Sequence, residues 1–235
     1  MVIGSGLMAQ AFQRYKNIDG VLIFASGVSS SKICSVSDCA REEDLLRKTL
    51  DDYDNKILFV YFSSCSIASS NLTNDTYHTH KKKMEGIIQT NAKRYTIFRL
   101  PNVVGGAVNP DTLFYYLVNK VRLHKEFDLW SGVKRNIIDI DDVVNIVSNI
   151  IHNVFFVNEI INVANLNDVT VQEIVNEISK FLNIHAKYTL IKHSDSYYID
   201  TTKIEPIVKK MGLNFDLNYL KNITKKYCGH LPFDK

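Results

Sequence analysis

The chain is predicted to be an α/β protein, a parallel sheet covered by helices on both faces. Three observations lead there. Val21–Ala25 and Ile57–Phe62 are apolar at every position, as strands buried on both faces are. Stretches of helical period stand between these runs, so the strands are joined by crossovers and run parallel. The 235 residues, 46% hydrophobic and 23% charged, can fill one sizeable domain, or a domain with a smaller lobe.

Met1-Val2-Ile3 is a short apolar run that breaks at Gly4-Ser5-Gly6. Leu7 to Tyr15 follows as a helix with Leu7, Met8, Ala11, Phe12 and Tyr15 on one face. Asp19-Gly20 turns the chain into the strand Val21–Ala25, which Ser26-Gly27 ends. Glu42–Tyr53 is expected to be helical, then Ile57–Phe62 a buried strand, then Tyr77–Asn91 a polar helix. Tyr95–Leu100 is a further strand, stopped by Pro101.

The second half is less regular. Asn136–Ile140 is a short apolar run, and Asp141-Asp142 opens a helix over Val143–His152, where acidic side chains suit the helix dipole. Ile160–Val163 is expected as a strand. Thr170 and Glu173 form a capping box for a helix reaching Leu182. Tyr188–Ile191 reads as a last strand and Thr201–Met211 as a last helix before Gly212.

Composition excludes several classes. A net charge of +3 is too mild for a nucleic-acid or membrane-surface protein. No apolar run approaches the ~18 residues of a membrane span, and the chain opens into a strand, so no targeting segment is expected. Cys34, Cys39, Cys65 and Cys228 are scattered without a CxxC, a pattern of reduced thiols in a cytoplasmic protein.

Three groupings carry chemistry. Gly4-Ser5-Gly6-Leu7-Met8-Ala9 is a GxGxxA between a strand and a helix, where glycines let backbone approach a pyrophosphate. Taken alone it is also an ordinary tight turn. Tyr77 and Lys81 lie four apart on one helical face, so the ammonium can favour the phenolate and make Tyr77 an acid/base. The bland alternative is an exposed tyrosine beside a solvated lysine. His78 and His80 flank the pair. Their rings point in different directions on a helix, so both are expected to be solvated, with no metal. Phe62-Ser63-Ser64-Cys65-Ser66 ends a buried strand and would present a hydroxyl at the carboxyl edge of the sheet. No GxSxG surrounds it, which disfavours a hydrolase.

In this order the motifs resemble the extended short-chain dehydrogenase/reductase family, the NAD-dependent epimerases, dehydratases and reductases of nucleotide sugars. Gly4–Ala9 looks like the cofactor turn, and Asp19–Gly27 resembles the strand ending in the cofactor-wall motif. Phe62-Ser63-Ser64 is similar to the strand bearing the catalytic hydroxyl. Arg99–Gly105 looks like the segment passing the nicotinamide, and Arg135–Val143 resembles the "arginine, short strand, Asp, helix" passage. Ile161–Ala164 before the Thr170 helix also matches.

The resemblance implies a Rossmann-like doubly wound sheet over residues 1–105 that binds NAD or NADP. A smaller substrate-binding part follows over 106–235, with helix 141–152 packing back on the sheet. It implies Ser64, Tyr77 and Lys81 as catalytic residues, with Tyr77 shuttling a proton and Lys81 holding the nicotinamide ribose. Gly4, Gly6, Leu7, Met8, Ala9, Ala25, Ser26, Gly27, Tyr77, Lys81 and Pro101 would touch the cofactor. Ser64, Asn102 and Arg135 would bind a nucleotide-sugar substrate, the arginine holding its diphosphate. A homodimer through helices Glu42–Tyr53 and Tyr77–Asn91 is implied by analogy, with polysaccharide biosynthesis as the setting.

The departures are as informative. The run from the glycine turn to Ala25 is too short for the usual two intervening strands, so the sheet is expected to be reduced in strand number. With them goes the acidic ribose ligand, and NAD and NADP stay equally open. Cys65-Ser66 stands where dehydratases of the family carry Asp-Glu, which disfavours dehydration. Keto-sugar reduction is the leading expectation. Epimerisation, and a dinucleotide-binding sensor without turnover, are the alternatives.

Overall fold

The structure, a computed structural model, describes residues 1–28, 35–68, 76–193 and 197–229. The first half runs β1 (Val2–Ile3), α1 (Leu7–Ala11), β2 (Val21–Phe24), α2 (Val36–Asp51), β3 (Leu58–Ser64), α3 (Thr76–Asn91), β4 (Tyr95–Leu100) and β5 (Asn102–Val104). The second runs α4 (Leu113–Arg122), β6 (Phe127–Ser131), β7 (Lys134–Arg135), β8 (Ile137–Asp139), α5 (Ile140–His152), β9 (Glu159–Asn162), β10 (Val169–Thr170), α6 (Val171–Leu182), β11 (Tyr188–Lys192), α7 (Glu205–Met211) and α8 (Tyr219–Cys228).

Five parallel strands form the main sheet, in the order β1-β2-β3-β4-β9. Strand alternation divides their side chains between two apolar layers. Ile23, Val60, Phe62, Phe98 and Leu100 face one side, where Phe12, Tyr15, Val143, Ile146, Val147 and Ile150 cover them. Leu22, Phe24, Phe59, Tyr61 and Ile97 face the other, under Leu46, Met84 and Ile88. The first layer continues through α4, α6 and α8, so the second half shares the core of the first.

This distribution has a topological consequence. The crossovers β1–α1–β2, β2–α2–β3 and β3–α3–β4 all advance in one direction across the sheet, and crossovers of one hand would leave all three helices on one face. Here α1 packs with α5 on one face, whereas α2 and α3 pack together on the other. The β1–α1–β2 connection therefore has the opposite hand to the next two. Among the described residues no strand lies beyond β1, so the connections leaving the neighbouring strands β1 and β2 go to opposite faces, and a crevice opens at such a change of face.

Boundaries moved where polar residues hid a helix end. α2 begins at Val36, ahead of the expected Glu42, because the Ser35 side chain accepts the Asp38 N–H as an N-cap. α5 starts at Ile140 because Asp139 caps it in the same way. α1 is shorter than expected and tightens into a 3-10 turn over Gln13–Tyr15. α7 starts at Glu205, with a proline in its first turn. α6 has the expected bounds and its reciprocal Thr170–Glu173 capping box.

Candidate functional site

The carboxyl ends of β1 to β4 lie at one edge of the sheet, because Ile3 pairs with Phe24, Phe24 with Tyr61, and Ser64 with Leu100. That edge opens into a cleft of about 1290 Å³. Ser5–Met8, Ala25–Gly27, Ser64, Tyr77, Lys81 and Pro101 line it from the sheet side. Asn102, Asp128, Trp130, Arg135 and Tyr197 line it as well. Of the residues assigned from sequence, only Gly4 and Ala9 are not among the lining residues.

Gly4 has φ +126°, and a Cβ there would sit 2.4 Å from the Ala25 carbonyl oxygen. The first glycine is thus required by the close approach of the β1 and β2 ends. Ala9 is buried in α1. Gly6 differs, since a Cβ there meets nothing within 4 Å.

Ion pairs to α2 and β4 hold α3 in place. Arg99 of β4 forks onto Glu85 at 2.9 and 2.6 Å. Farther up the helix, Lys81 is only 2% exposed and donates to Glu42 Oε1 at 3.1 Å and to the Tyr61 hydroxyl at 3.0 Å. Its Nζ also lies 5.9 Å from the Tyr77 ring centroid.

Glu42 was missed by the sequence reading. It is fully buried and also accepts from the Val28 N–H at 2.7 Å, the Tyr61 hydroxyl at 2.8 Å and His80 Nε2 at 3.0 Å. Burial by itself would push its carboxyl up. The His80 bond, the Lys81 charge, the Val28 amide and Tyr61 outweigh burial and hold it at about 2, against 4.5 ordinarily. Burial first, and then the Glu42 charge, drive the Tyr61 phenol well above its ordinary value. A Cβ on Gly27 would lie 2.7 Å from Lys81 Nζ, so Gly27 makes room for this cluster.

The two histidines correct the sequence expectation of solvated rings. His80 is buried on Glu42, and His78, 3% exposed, lies 2.8 Å from Ser66 Oγ through Nε2. They do point in different directions, but into two different buried clusters. Ser66 in turn lies 2.8 Å from Ser64 Oγ.

Asn102 donates its side-chain amide to the Asn136 carbonyl, which ties β5 to β8. Arg135 lies over Trp130, 6.0 Å from the ring centroid, and His193 stacks on that ring at 4.1 Å. Cys39, Cys65 and Cys228 are free and buried, whereas Cys34 lies outside the described residues. Among the described residues no helix is long and apolar enough to cross a membrane.

No family model matches the chain, and no curated protein matches it. Solved structures do. The dTDP-glucose 4,6-dehydratase of Bacillus anthracis, in complex with NAD, matches with a TM-score of 0.66 at 16% identity over 95% of this chain and 77% of that one. The UDP-glucose 4-epimerase of Thermotoga maritima, with UDP-glucose, gives 0.66 at 17% over 95% and 82%. RMD from Pseudomonas aeruginosa, complexed with NADPH, gives 0.69 at 12% over 92% and 84%. The chain has the fold of these proteins. It is a Rossmann-like α/β fold, in a chain shorter than each of the three. The reduced sheet expected from the short run between the glycine turn and Ala25 is seen as β1 standing at the sheet edge.

Proposed function

We propose that the chain is an NAD(P)-dependent oxidoreductase that reduces a keto sugar carried on a nucleotide. The observation that carries this reading is the convergence of Ser64, Tyr77 and Lys81 on the cleft where the glycine turn and Ala25–Gly27 also meet. The open space at Gly6 and the backbone wall of Ala25–Gly27 fit the diphosphate and nicotinamide half of a dinucleotide. The solved proteins with this fold that carry NAD or NADPH support the same cofactor class. When bound, the dinucleotide supplies the hydride. Tyr77 gives a proton to the sugar oxygen, and Ser64 hydrogen-bonds that oxygen. Lys81 acts on Tyr77 through its charge beside the ring. Arg135 takes the diphosphate by its planar fork, with Trp130 alongside and Asn102 at the nucleotide.

Nucleotide-sugar epimerisation is the second reading, since the same cleft would hold dinucleotide and substrate together for either reaction. A dinucleotide sensor without turnover is favoured by one observation, the engagement of Lys81 with Glu42. The reading also carries a homodimer through α2 and α3, whose outward residues include Arg41, Arg47, Lys82 and Lys83. The buried free thiols suit the reducing cytoplasm.

The test is titration with NADPH and NADH, followed by turnover of UDP- and dTDP-linked 4-keto sugars. Gly6→Val should fold and lose dinucleotide binding, because its side chain would fill the open approach. Tyr77→Phe should keep dinucleotide binding and lose roughly 100- to 10,000-fold in kcat. Turnover by Tyr77→Phe at the parent rate would remove the catalytic assignment. Absence of turnover in the parent, with binding retained, would favour the sensor.

A further inference from the structure

Ser64, Ser66 and His78 form an unbroken hydrogen-bonded row that ends on the cleft. Ser64 Oγ and Ser66 Oγ are 2.8 Å apart, Ser66 Oγ and His78 Nε2 are 2.8 Å apart, and the Ser66 N–H donates to Ser64 Oγ at 3.2 Å. All three residues line the cleft, and the His78 ring stands edge-on to the Tyr77 ring at 5.2 Å.

Each serine hydroxyl has one proton and two lone pairs, so a bare Nε2 fixes the direction of the row and a protonated one releases it. When His78 carries a proton on Nε2, it donates to Ser66. Ser66 is then free to donate to Ser64, which leaves the Ser64 proton to point at a substrate oxygen. When Nε2 is bare, Ser66 donates to His78 and Ser64 donates to Ser66, so Ser64 offers the cleft only lone pairs. A ketone oxygen can only accept, whereas a sugar hydroxyl can donate. The two directions therefore match the two oxidation states of a sugar carbon.

We propose that His78, through Ser66, is a positioning residue that sets whether Ser64 donates to or accepts from the reacting oxygen. This rests on the assignment of Ser64 to the reacting centre. The expectation that His78 was a solvated bystander hid it, because Ser66 and His78 are 12 residues apart and meet only after the Cys65–Ala68 turn packs on α3.

The experiment uses full-length protein labelled with ¹⁵N-histidine, the His78 signal being assigned by its loss in His78→Phe. Ser64→Ala should change the His78 Nε2 shift although Ser64 does not touch the ring, and Ser66→Ala should change it more. In parallel, NADPH-dependent reduction of the 4-keto sugar that the parent turns over is measured. Ser66→Ala and His78→Phe should each lower kcat about tenfold, the scale of one hydrogen bond. Affinity for NADPH should be unchanged, and Ser66→Thr, which keeps the hydroxyl, should recover most of the loss. A His78 signal insensitive to Ser64→Ala would overturn the proposal. So would parent-like kcat in both Ser66→Ala and His78→Phe. A parent with no turnover whose His78 signal still responds to Ser64→Ala would support the row and count against the reductase reading alone.

Discussion

Glu42 and Asp139 are surrounded by the same kinds of side chain, yet they do different work. Each carboxylate accepts from a lysine and a tyrosine: Glu42 from Lys81 and Tyr61, Asp139 from Lys226 at 2.7 Å and Tyr227 at 2.8 Å. The Glu42 cluster lies beneath the cleft, with both charged side chains 3% exposed or less. The Asp139 cluster lies at the start of α5, where Asp139 also caps the Asp141 N–H, and the Lys226 side chain is 41% exposed. Burial pulls the Lys226 ammonium down, but its bonds to Asp139 and Asp141 raise it above its ordinary value overall. In the dry cluster each group depends on the other to remain charged. In the wet one, water can replace a lost partner. The first orients a helix bearing candidate catalytic groups, whereas the second fastens α8 onto α5.

The largest break in this comparison should come from Glu42→Gln, which leaves the Lys81 charge buried with one anionic partner removed. The expected loss is about 3–5 kcal/mol in urea denaturation. Glu42→Leu with Lys81→Met should recover much of it, since an apolar pair needs no partner. A loss below 1 kcal/mol for Glu42→Gln would show that water reaches the cluster.

Acid sharpens the contrast. The folded-state pKa of Glu42 is depressed, so its contribution is present above the unfolded value of 4.5 and is lost as pH falls toward about 2. On the order of 3 kcal/mol of stability should disappear across that window. The window should flatten in the Glu42→Leu, Lys81→Met double variant. A parent whose stability is level between pH 4.5 and 2.5 would contradict the Glu42 geometry.

The smallest effect belongs to Lys226→Met. Lys226 is 41% exposed although Asp139 is buried, so solvent screens the pair on the lysine side; the expected loss is about 1 kcal/mol and should shrink at high salt. A salt-insensitive loss of several kcal/mol would mean that the second cluster is as dry as the first.

Much of the fold was legible because its signals are local. Continuous apolar runs marked β2, β3 and β4. The capping box marked α6, and Gly212, left-handed at φ +65°, marked the end of α7. α4 was legible but unread: Phe114, Leu117, Val118 and Val121 are buried at helical spacing. α8, with Lys221, Lys225 and Lys226 along it, hides its buried Leu220, Ile223 and Tyr227 among polar residues. Glu42 had a signal too, since a charged residue shares the buried face of α2 with Cys39, Leu46 and Thr49. A carboxylate on an apolar stripe calls for a buried partner.

By itself the sequence determined the strands β2 to β4, the helices between and after them, the parallel sheet and the residues brought to its carboxyl edge. These follow from periodicity, from turn chemistry and from the four-residue spacing of Tyr77 and Lys81, all of which act over a few residues. Only the tertiary structure decided where Lys81 spends its protons, because Glu42 lies 39 residues before it and Tyr61 lies 20 before. The same holds for the change of face between β1 and β2 and for the meeting of Ser66 with His78. Pairings across such separations depend on how the helices dock. Docking is set by the summed burial of two apolar layers, which no single stretch of chain contains.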